Sequence, residues 1–362
     1  MKLIMITPRV GYKNPILGFI PGWVTAIAQK VEYLWVITPR AEDVVLPSNV
    51  KVIEVGRDYS KGETVIHAIA RFYSVLWRIL RDEPVDGIFS HMYPMFAIMA
   101  ALSARWHAVP VVMWFTHTHV SCQLRLAHLL VDRVVTASDG SFNLRSKKKT
   151  VLGHGIDVEK FLPRTEQPME QVKPCYLLTV GRIAPSKHYE TILQGVAILV
   201  HEKGVDNLRL IVVGDTDEYH SADYYAKLMD IVHDLKIQDV VEFVGAVPHQ
   251  DILTYYQEAD VFISASETGL DKAVLEAMSC GVIPIASLDE FRPLLGDYDG
   301  LLMYPPGDSR QLAEALIRII TISQDQRTLL RQEMMERVRN GCSLDFFVGK
   351  LLAVFQELRE KK

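Results

Sequence analysis

Two doubly wound α/β domains are the fold class this sequence predicts, and three observations carry it. Short apolar runs rich in β-branched residues alternate with longer helical patterns through both halves of the chain. The 362 residues exceed one ordinary core, so two domains of roughly 150 to 200 residues are expected. Residues 161–174, with three prolines and a polar interior, read as a linker between apolar strands.

The apolar runs of the first half are residues 3–7, 33–38, 51–55, 87–90, 109–115 and 133–136. Residues 3–7 read as a buried first strand, with an apolar part too short for a signal peptide. The runs are continuous rather than alternating, as parallel strands covered on both faces require. The segment 65–81 reads as a helix with His67, Arg71, Ser74, Arg78 and Arg81 on one face and apolar and aromatic residues around the rest. Such a helix covers the sheet with arginines at its edge, or lies on an anionic membrane. The basic run 145–149 reads as a solvated loop able to assist that contact.

The second half repeats the pattern at residues 176–180, 208–213, 240–244, 261–264 and 282–285, with a helix over 189–203. A break at Asn340-Gly341 precedes a last helix over 344–360. The domains expected are therefore 1–165, which binds acceptor, and 166–343, which binds donor, with 344–362 packing back on the first. No repeat at solenoid periods is visible.

Composition narrows the function. A net charge of −5 does not favour a nucleic-acid binder. Cys122, Cys175, Cys280 and Cys342 are far apart and form no CxxC pair, so a disulfide framework or zinc site is not expected and a cytoplasmic location is. No run approaches the length of a membrane span.

Two motifs carry the chemistry. Val180-Gly181-Arg182-Ile183-Ala184-Pro185-Ser186-Lys187 sets two permanent cations five residues apart after a strand, where ligands bind in an open α/β sheet. Exposed amides and a helix dipole there would add to the cations. The stretch 267–278 closes as an apolar helix pattern on Glu276, a carboxylate that must be partnered if buried. Taken singly, the first reads equally as surface cations and the second as a helix carboxylate bridged to a local Arg or Lys. Together they suit a phosphorylated ribose: cations for a diphosphate, a carboxylate for ribose hydroxyls.

On Gly181-Arg182-(x)4-Lys187, Val240-Val241-Glu242-Phe243-Val244-Gly245 and Glu276-Ala277-Met278-Ser279-Cys280-Gly281-Val282-Ile283-Pro284, the chain resembles the retaining glycosyltransferases of GT-B fold, glycosyltransferase family 4, also called the glycosyl transferases group 1 family. Thr116-His117, residues 132–138 and Gly153-His154-Gly155-Ile156-Asp157-(x)3-Phe161-(x)-Pro163 fit the same family, so the resemblance spans essentially the whole chain. It implies two Rossmann-like domains facing a central cleft. It also implies transfer of a hexose (mannose or glucose first) with retention, from a GDP- or UDP-linked donor to a glycan or lipid-linked glycan hydroxyl. Polysaccharide or glycolipid biosynthesis would be the setting.

Position by position, the resemblance gives Arg182 and Lys187 the diphosphate, Glu276 the ribose, Gly18 close backbone approach to the donor phosphate, and His117 a place beside the reacting sugar carbon. Gly245 and Val247, with Asp215, are expected near the base. The chain departs from the family at the first glutamate of the Glu-(x)7-Glu signature, where Thr268 stands, with Glu267 one residue early. Leu270-Asp271 replaces Phe-Gly, followed by Lys272. Either Glu267 reaches in, or Thr268 and the amides around Gly269 hold the sugar hydroxyls; Leu270 and Asp271 complete this donor loop. His117 and His119 lack a supporting third ligand, and no Asp-x-Asp is present in a strand-end loop, so no metal and no cofactor beyond the substrate nucleotide is expected. The alternatives are a nucleotide-sugar epimerase or hydrolase of the same architecture, and a non-catalytic nucleotide-sugar binder. A dinucleotide oxidoreductase would need a Gly-x-Gly-x-x-Gly after the first strand, where Pro8-Arg9-Val10-Gly11 stands.

Overall fold

The computed structural model describes all residues except 15–16, 58–59, 61–62, 165–173, 217–221, 268 and 362. The chain forms two compact units: Met1–Gly155 with Leu344–Lys362, and Ile156–Ser343. The linker expected over 161–174 lies largely outside the described residues. The first domain was expected to reach residue 165, whereas residues from Ile156 onward belong to the second unit. The reason is packing: Ile156 and Phe161 are fully buried in the second core.

The first unit is a seven-stranded parallel sheet: β1 (Lys2–Ile6), β2 (Tyr33–Thr38), β3 (Val50–Glu54), β4 (Gly87–His91), β5 (Val111–Trp114), β6 (Arg133–Thr136) and β7 (Lys149–Val151). The order is β3-β2-β1-β4-β5-β6-β7. Helices α1 (Ile20–Ala28), α2 (Val65–Asp82), α3 (Pro94–Trp106) and α4 (Cys122–Leu130) connect the strands. Side chains alternate across each strand. Leu3, Met5, Leu34 and Val36 therefore join one core with Trp23 and Ile27 of α1, while Ile4, Ile6, Trp35 and Ile37 join the other with Phe72, Leu76 and Leu80 of α2. Both faces are covered, which is why the strands carry no polar alternation. β7 was not expected; it starts at Lys149, the last residue of the basic run 145–149. A three-residue edge strand, Lys-Thr-Val, is too short to form an apolar run that would reveal it.

The second unit is a five-stranded parallel sheet, β8 (Cys175–Val180), β9 (Leu208–Val213), β10 (Val241–Gly245), β11 (Val261–Ser264) and β12 (Ile283–Ala286), in the order β10-β9-β8-β11-β12. Its helices are α5 (Tyr189–His201), α6 (Ala222–Asp234), α7 (Leu253–Glu258), α8 (Lys272–Ser279), two single turns α9 (Arg292–Leu295) and α10 (Asp299–Leu302), then α11 (Ser309–Thr321) and α12 (Gln324–Cys342). The last helix, α13 (Leu344–Glu360), belongs to the first unit, where Phe347, Leu351 and Phe355 are buried in the core shared with α1. Burying each such side chain contributes roughly 1.5–3 kcal/mol.

The break expected at Asn340-Gly341 is not there. α12 runs through both residues because Leu330, Met334, Val338 and Cys342, four apart, bury one continuous stripe. The chain turns one residue later, at extended Ser343. Side-chain caps define other starts: Ser121 for α4, Asp271 for α8, Asp308 for α11 and Ser323 for α12, each worth about 1 kcal/mol.

Candidate functional site

In the second unit the strand order reverses between β8 and β11. Loops leaving two such strands run to opposite sides of the sheet and open a ligand crevice beyond its carboxyl edge. Both motifs singled out in the sequence lie on these two loops.

The loop after β8 passes Arg182, which is exposed, and makes one 3₁₀ turn, Pro185–Lys187. It enters α5 through His188, whose φ of 46° is left-handed. The amides of Lys187 and His188 donate to the carbonyls of Ala184 and Pro185, so these two are not the free anion donors expected there. The side chains carry the positive charge.

The loop after β11 is tied to the first by three contacts. The Glu267 amide donates to the Ser186 carbonyl at 3.2 Å. Glu267 Oε1 lies 2.7 Å from His188 Nε2, a close contact out of line for a hydrogen bond. Lys187 Nζ lies 2.5 Å from Asp271 Oδ2. The chain reverses at Gly269 with φ of 68°, a conformation that favours glycine. Asp271 then caps α8, its Oδ1 accepting from the Ala273 amide at 3.3 Å. Thr268 lies outside the described residues.

One turn into α8, Glu276 is buried at 5% exposure. Its Oε1 accepts from Lys272 Nζ at 2.5 Å and from His249 Nε2 at 3.1 Å. Its Oε2 accepts from the buried Tyr256 hydroxyl at 3.0 Å. Burial alone would raise its pKa, but the Lys272 ammonium and His249 outweigh that and hold it at about 2. Desolvation keeps His249 below its ordinary value and so neutral at pH 7. Its Nδ1 faces the Lys160 ammonium at 3.4 Å, so the ring proton belongs on Nε2, pointing at Glu276. Lys160 is itself lowered by burial. The bridge to a local lysine that competed with ribose binding is therefore present, as one of three partners of Glu276. A carboxylate offers about four acceptor positions and three are filled, which leaves one on Oε2.

Gly245 ends β10 with a φ of 84°, and Val247 lies on the loop that follows. Asp215, after β9, accepts from its neighbour's amide at 2.7 Å. A Cβ at Gly214 would lie 1.8 Å from the Gly181 carbonyl oxygen, so only glycine lets the β8 and β9 loops run this close.

The second unit thus gathers Arg182, Lys187, Gly245, Val247, Glu267, Gly269, Leu270, Asp271 and Glu276 on three strand-end loops and α8. Gly18 and His117 belong to the first unit. Gly18 lies in the turn before α1, its amide donating to Asn14, and His117 Nδ1 accepts from the His119 amide at 3.1 Å. Sequence reasoning missed Lys160, His249 and Tyr256 as partners of this site, and foresaw Lys272 only as an unspecified local Arg or Lys. The i,i+4 spacing of Lys272 and Glu276 was the one signal available. His249 and Tyr256 come from α7 and the segment before it, 27 and 20 residues away in sequence.

In the first unit, α2 buries Phe72, Val75, Leu76, Ile79 and Leu80 and leaves Ile66 and Trp77 exposed. Trp106 of α3 is 80% exposed, its ring 6.4 Å from that of Trp77. Beside them is a cavity of about 480 Å³ lined by Tyr73, Ser74, Trp77, Arg78, Arg81 and Ser103. The basic run 145–149 is largely committed elsewhere. Lys148 donates to the last carbonyls of α4 and Lys149 pairs with Asp139. Among the described residues no helix is long and apolar enough to cross a membrane, and no group of three or more His, Cys, Asp or Glu could hold a metal ion.

Residues 174–321, all within the second unit, match the family model described as glycosyl transferases group 1. The second unit thus resembles the group 1 glycosyltransferases in sequence, and the fold of the chain is GT-B. Among curated relatives, the amylovoran biosynthesis glycosyltransferase AmsK of Erwinia amylovora is 29% identical over 48% of this chain and 42% of its own length. The D-inositol 3-phosphate glycosyltransferase of Saccharomonospora viridis is 28% identical over 46% of this chain and 40% of its own. The match spans about half or less of these curated relatives' length. A glycosyltransferase from Rickettsia africae superposes with a TM-score of 0.77 at 15% identity, over 100% of this chain and 99% of that one. Anabaena Alr3699/HepE, in complex with UDP and glucose, does so with a TM-score of 0.74 at 16% identity, over 98% and 99%. At such identities the likeness shows the shared GT-B fold.

Proposed function

We propose that the chain is a retaining glycosyltransferase. It would move a hexose, mannose or glucose, from a GDP- or UDP-linked donor to an acceptor hydroxyl on a glycan or lipid-linked glycan. The observation that carries this reading is the meeting, at the switch point between β8 and β11, of the Arg182/Lys187 loop with the loop leading to Asp271 and Glu276. The UDP and glucose named with the Anabaena structure, and the glycosyl transfer named for AmsK, support it.

Cleavage of the sugar–phosphate bond leaves charge growing on the diphosphate oxygens. Arg182 and Lys187 stabilise that charge more in the transition state than in the ground state, which lowers the barrier rather than merely tightening binding. Two side-chain cations then do the electrostatic work a divalent ion would do, so full activity in EDTA is expected. Glu276 offers its remaining acceptor position to a ribose hydroxyl, with the carboxylate held ionised by Lys272 and His249. Gly18 and His117 act on the donor phosphate and the reacting sugar. The residues 246–248 and Asp215 face the base. Retention is assigned to front-face attack, with a departing phosphate oxygen taking the acceptor proton.

The membrane reading of 65–81 is proposed in a sharper form. Trp77 and Trp106, with Arg78 and Arg81, form an aromatic and basic surface suited to peripheral contact with an anionic leaflet, on the cytoplasmic side.

The test is a thermal-shift panel of GDP- and UDP-sugars on the intact protein, followed by incubation of the best donor with and without glycan acceptors. A stabilising donor and an acceptor-dependent α-linked product by proton NMR are expected. Full-speed release of free sugar without acceptor would favour a hydrolase, and binding with no turnover a non-catalytic role. An inverted anomeric centre would refute retention.

A further inference from the structure

The loop after β11 carries two acids besides Glu276, and they are engaged differently. Glu267 is tied to the β8 loop by its side chain on His188 and its amide on Ser186. Asp271 instead holds the ammonium of Lys187 at 2.5 Å with Oδ2, while Oδ1 keeps the α8 cap. The Asp271 and Lys187 side chains are 14% and 22% exposed, so the pair sits at the surface of the crevice where a ligand reaches both.

Resting on the reading of Lys187 as a diphosphate cation, we infer that Asp271 is the counter-anion Lys187 gives up on donor binding, and that the freed carboxylate then accepts hydrogen bonds from the donor sugar's hydroxyls. A diphosphate drawn to Lys187 comes to within a few ångströms of the Asp271 carboxylate. Two anions that close in a partly desolvated loop repel strongly, so Oδ2 must leave Lys187. Oδ1 is held by the Ala273 amide, so the carboxylate stays at the head of α8 and swings rather than withdraws. What stands next to a diphosphate in a nucleotide sugar is the hexose, whose hydroxyls are donors for that oxygen. Glu267 is not available for this without breaking its contact to His188.

This exchange separates donor from product. A nucleotide sugar displaces Asp271 from Lys187 and gives it new partners. A bare nucleoside diphosphate displaces it and returns nothing. Asp271 thereby weakens the leaving nucleotide relative to the donor.

Asp271→Asn tests this, because asparagine caps a helix as well as aspartate but carries no charge to form an ion pair with Lys187. Dissociation constants of UDP, GDP, UDP-glucose and GDP-mannose are measured by calorimetry for both proteins at low and physiological salt. In the variant the bare nucleotide tightens at least about tenfold, more at low salt, while its sugar conjugate is unchanged or weaker. The ratio of the two constants therefore falls by that factor. A ratio equal to wild type, with both ligands shifting alike, overturns the inference. If wild type binds no nucleotide of the panel, the donor-site reading fails and the inference with it; binding with an unmoved ratio sinks only the role of Asp271. Asp271→Ser, also a good cap, provides the same readout if the asparagine variant misfolds.

Discussion

Replacing Glu276 with glutamine should remove a specific portion of the acid sensitivity of the second unit. The carboxyl is held at about 2, against an ordinary 4.5. A difference of roughly 2.5 units, at 1.36 kcal/mol each, corresponds to about 3 kcal/mol of stability at neutral pH. Because the folded value is depressed, that stability is complete above the ordinary carboxylate range and is lost as pH falls through it toward about 2. Glutamine keeps the shape and an acceptor for Tyr256 but carries no charge for Lys272. The variant should thus be about 3 kcal/mol less stable than wild type at pH 7 and nearly equal to it close to pH 2. His249, also held low, loses stability on acidification from a higher starting pH, so its contribution is seen first. The assay is urea unfolding from pH 7 to pH 2.5, with far-UV circular dichroism reporting both units. All five tryptophans, Trp23, Trp35, Trp77, Trp106 and Trp114, belong to the first unit, so their fluorescence is an internal control that should not move. Curves for the two proteins that stay parallel at every pH would refute the reasoning.

Lys187→Ala should lower turnover about a hundred- to thousandfold while changing donor affinity much less, read as kcat against KM in the transfer assay. Equal losses of affinity and turnover would mean the lysine only binds. The intact protein should co-sediment with anionic vesicles at low salt and much less with neutral ones, and the double variant Trp77→Ser/Trp106→Ser should be released. Failure of wild type to bind anionic vesicles would exclude the proposed surface.

Where the candidate residues fall in the fold was legible because their spacing is local. Arg182 and Lys187 sit on one short loop, and Glu276 follows a strand and a turn in a pattern any doubly wound sheet uses. What was not legible depends on distant segments: His249 and Tyr256 complete the Glu276 cluster from the segment before α7 and from α7 itself, and no spacing rule links them to it. Lys272 was visible as an i,i+4 partner, yet whether Glu276 met it or faced solvent depended on burial. The fold was read from the apolar runs, and the errors fell where a three-residue strand, β7, joins an edge and where the Asn-Gly of α12 is overridden by a buried stripe.

By itself the sequence determined the two doubly wound sheets and the charges at their strand ends, because hydrophobic period and residue type act within a few positions. Only tertiary structure decided which charge answers which. It bound Lys187 to Asp271 and Glu276 to Lys272, His249 and Tyr256, since electrostatic and hydrogen-bond energies depend on distances of a few ångströms between segments far apart in the chain.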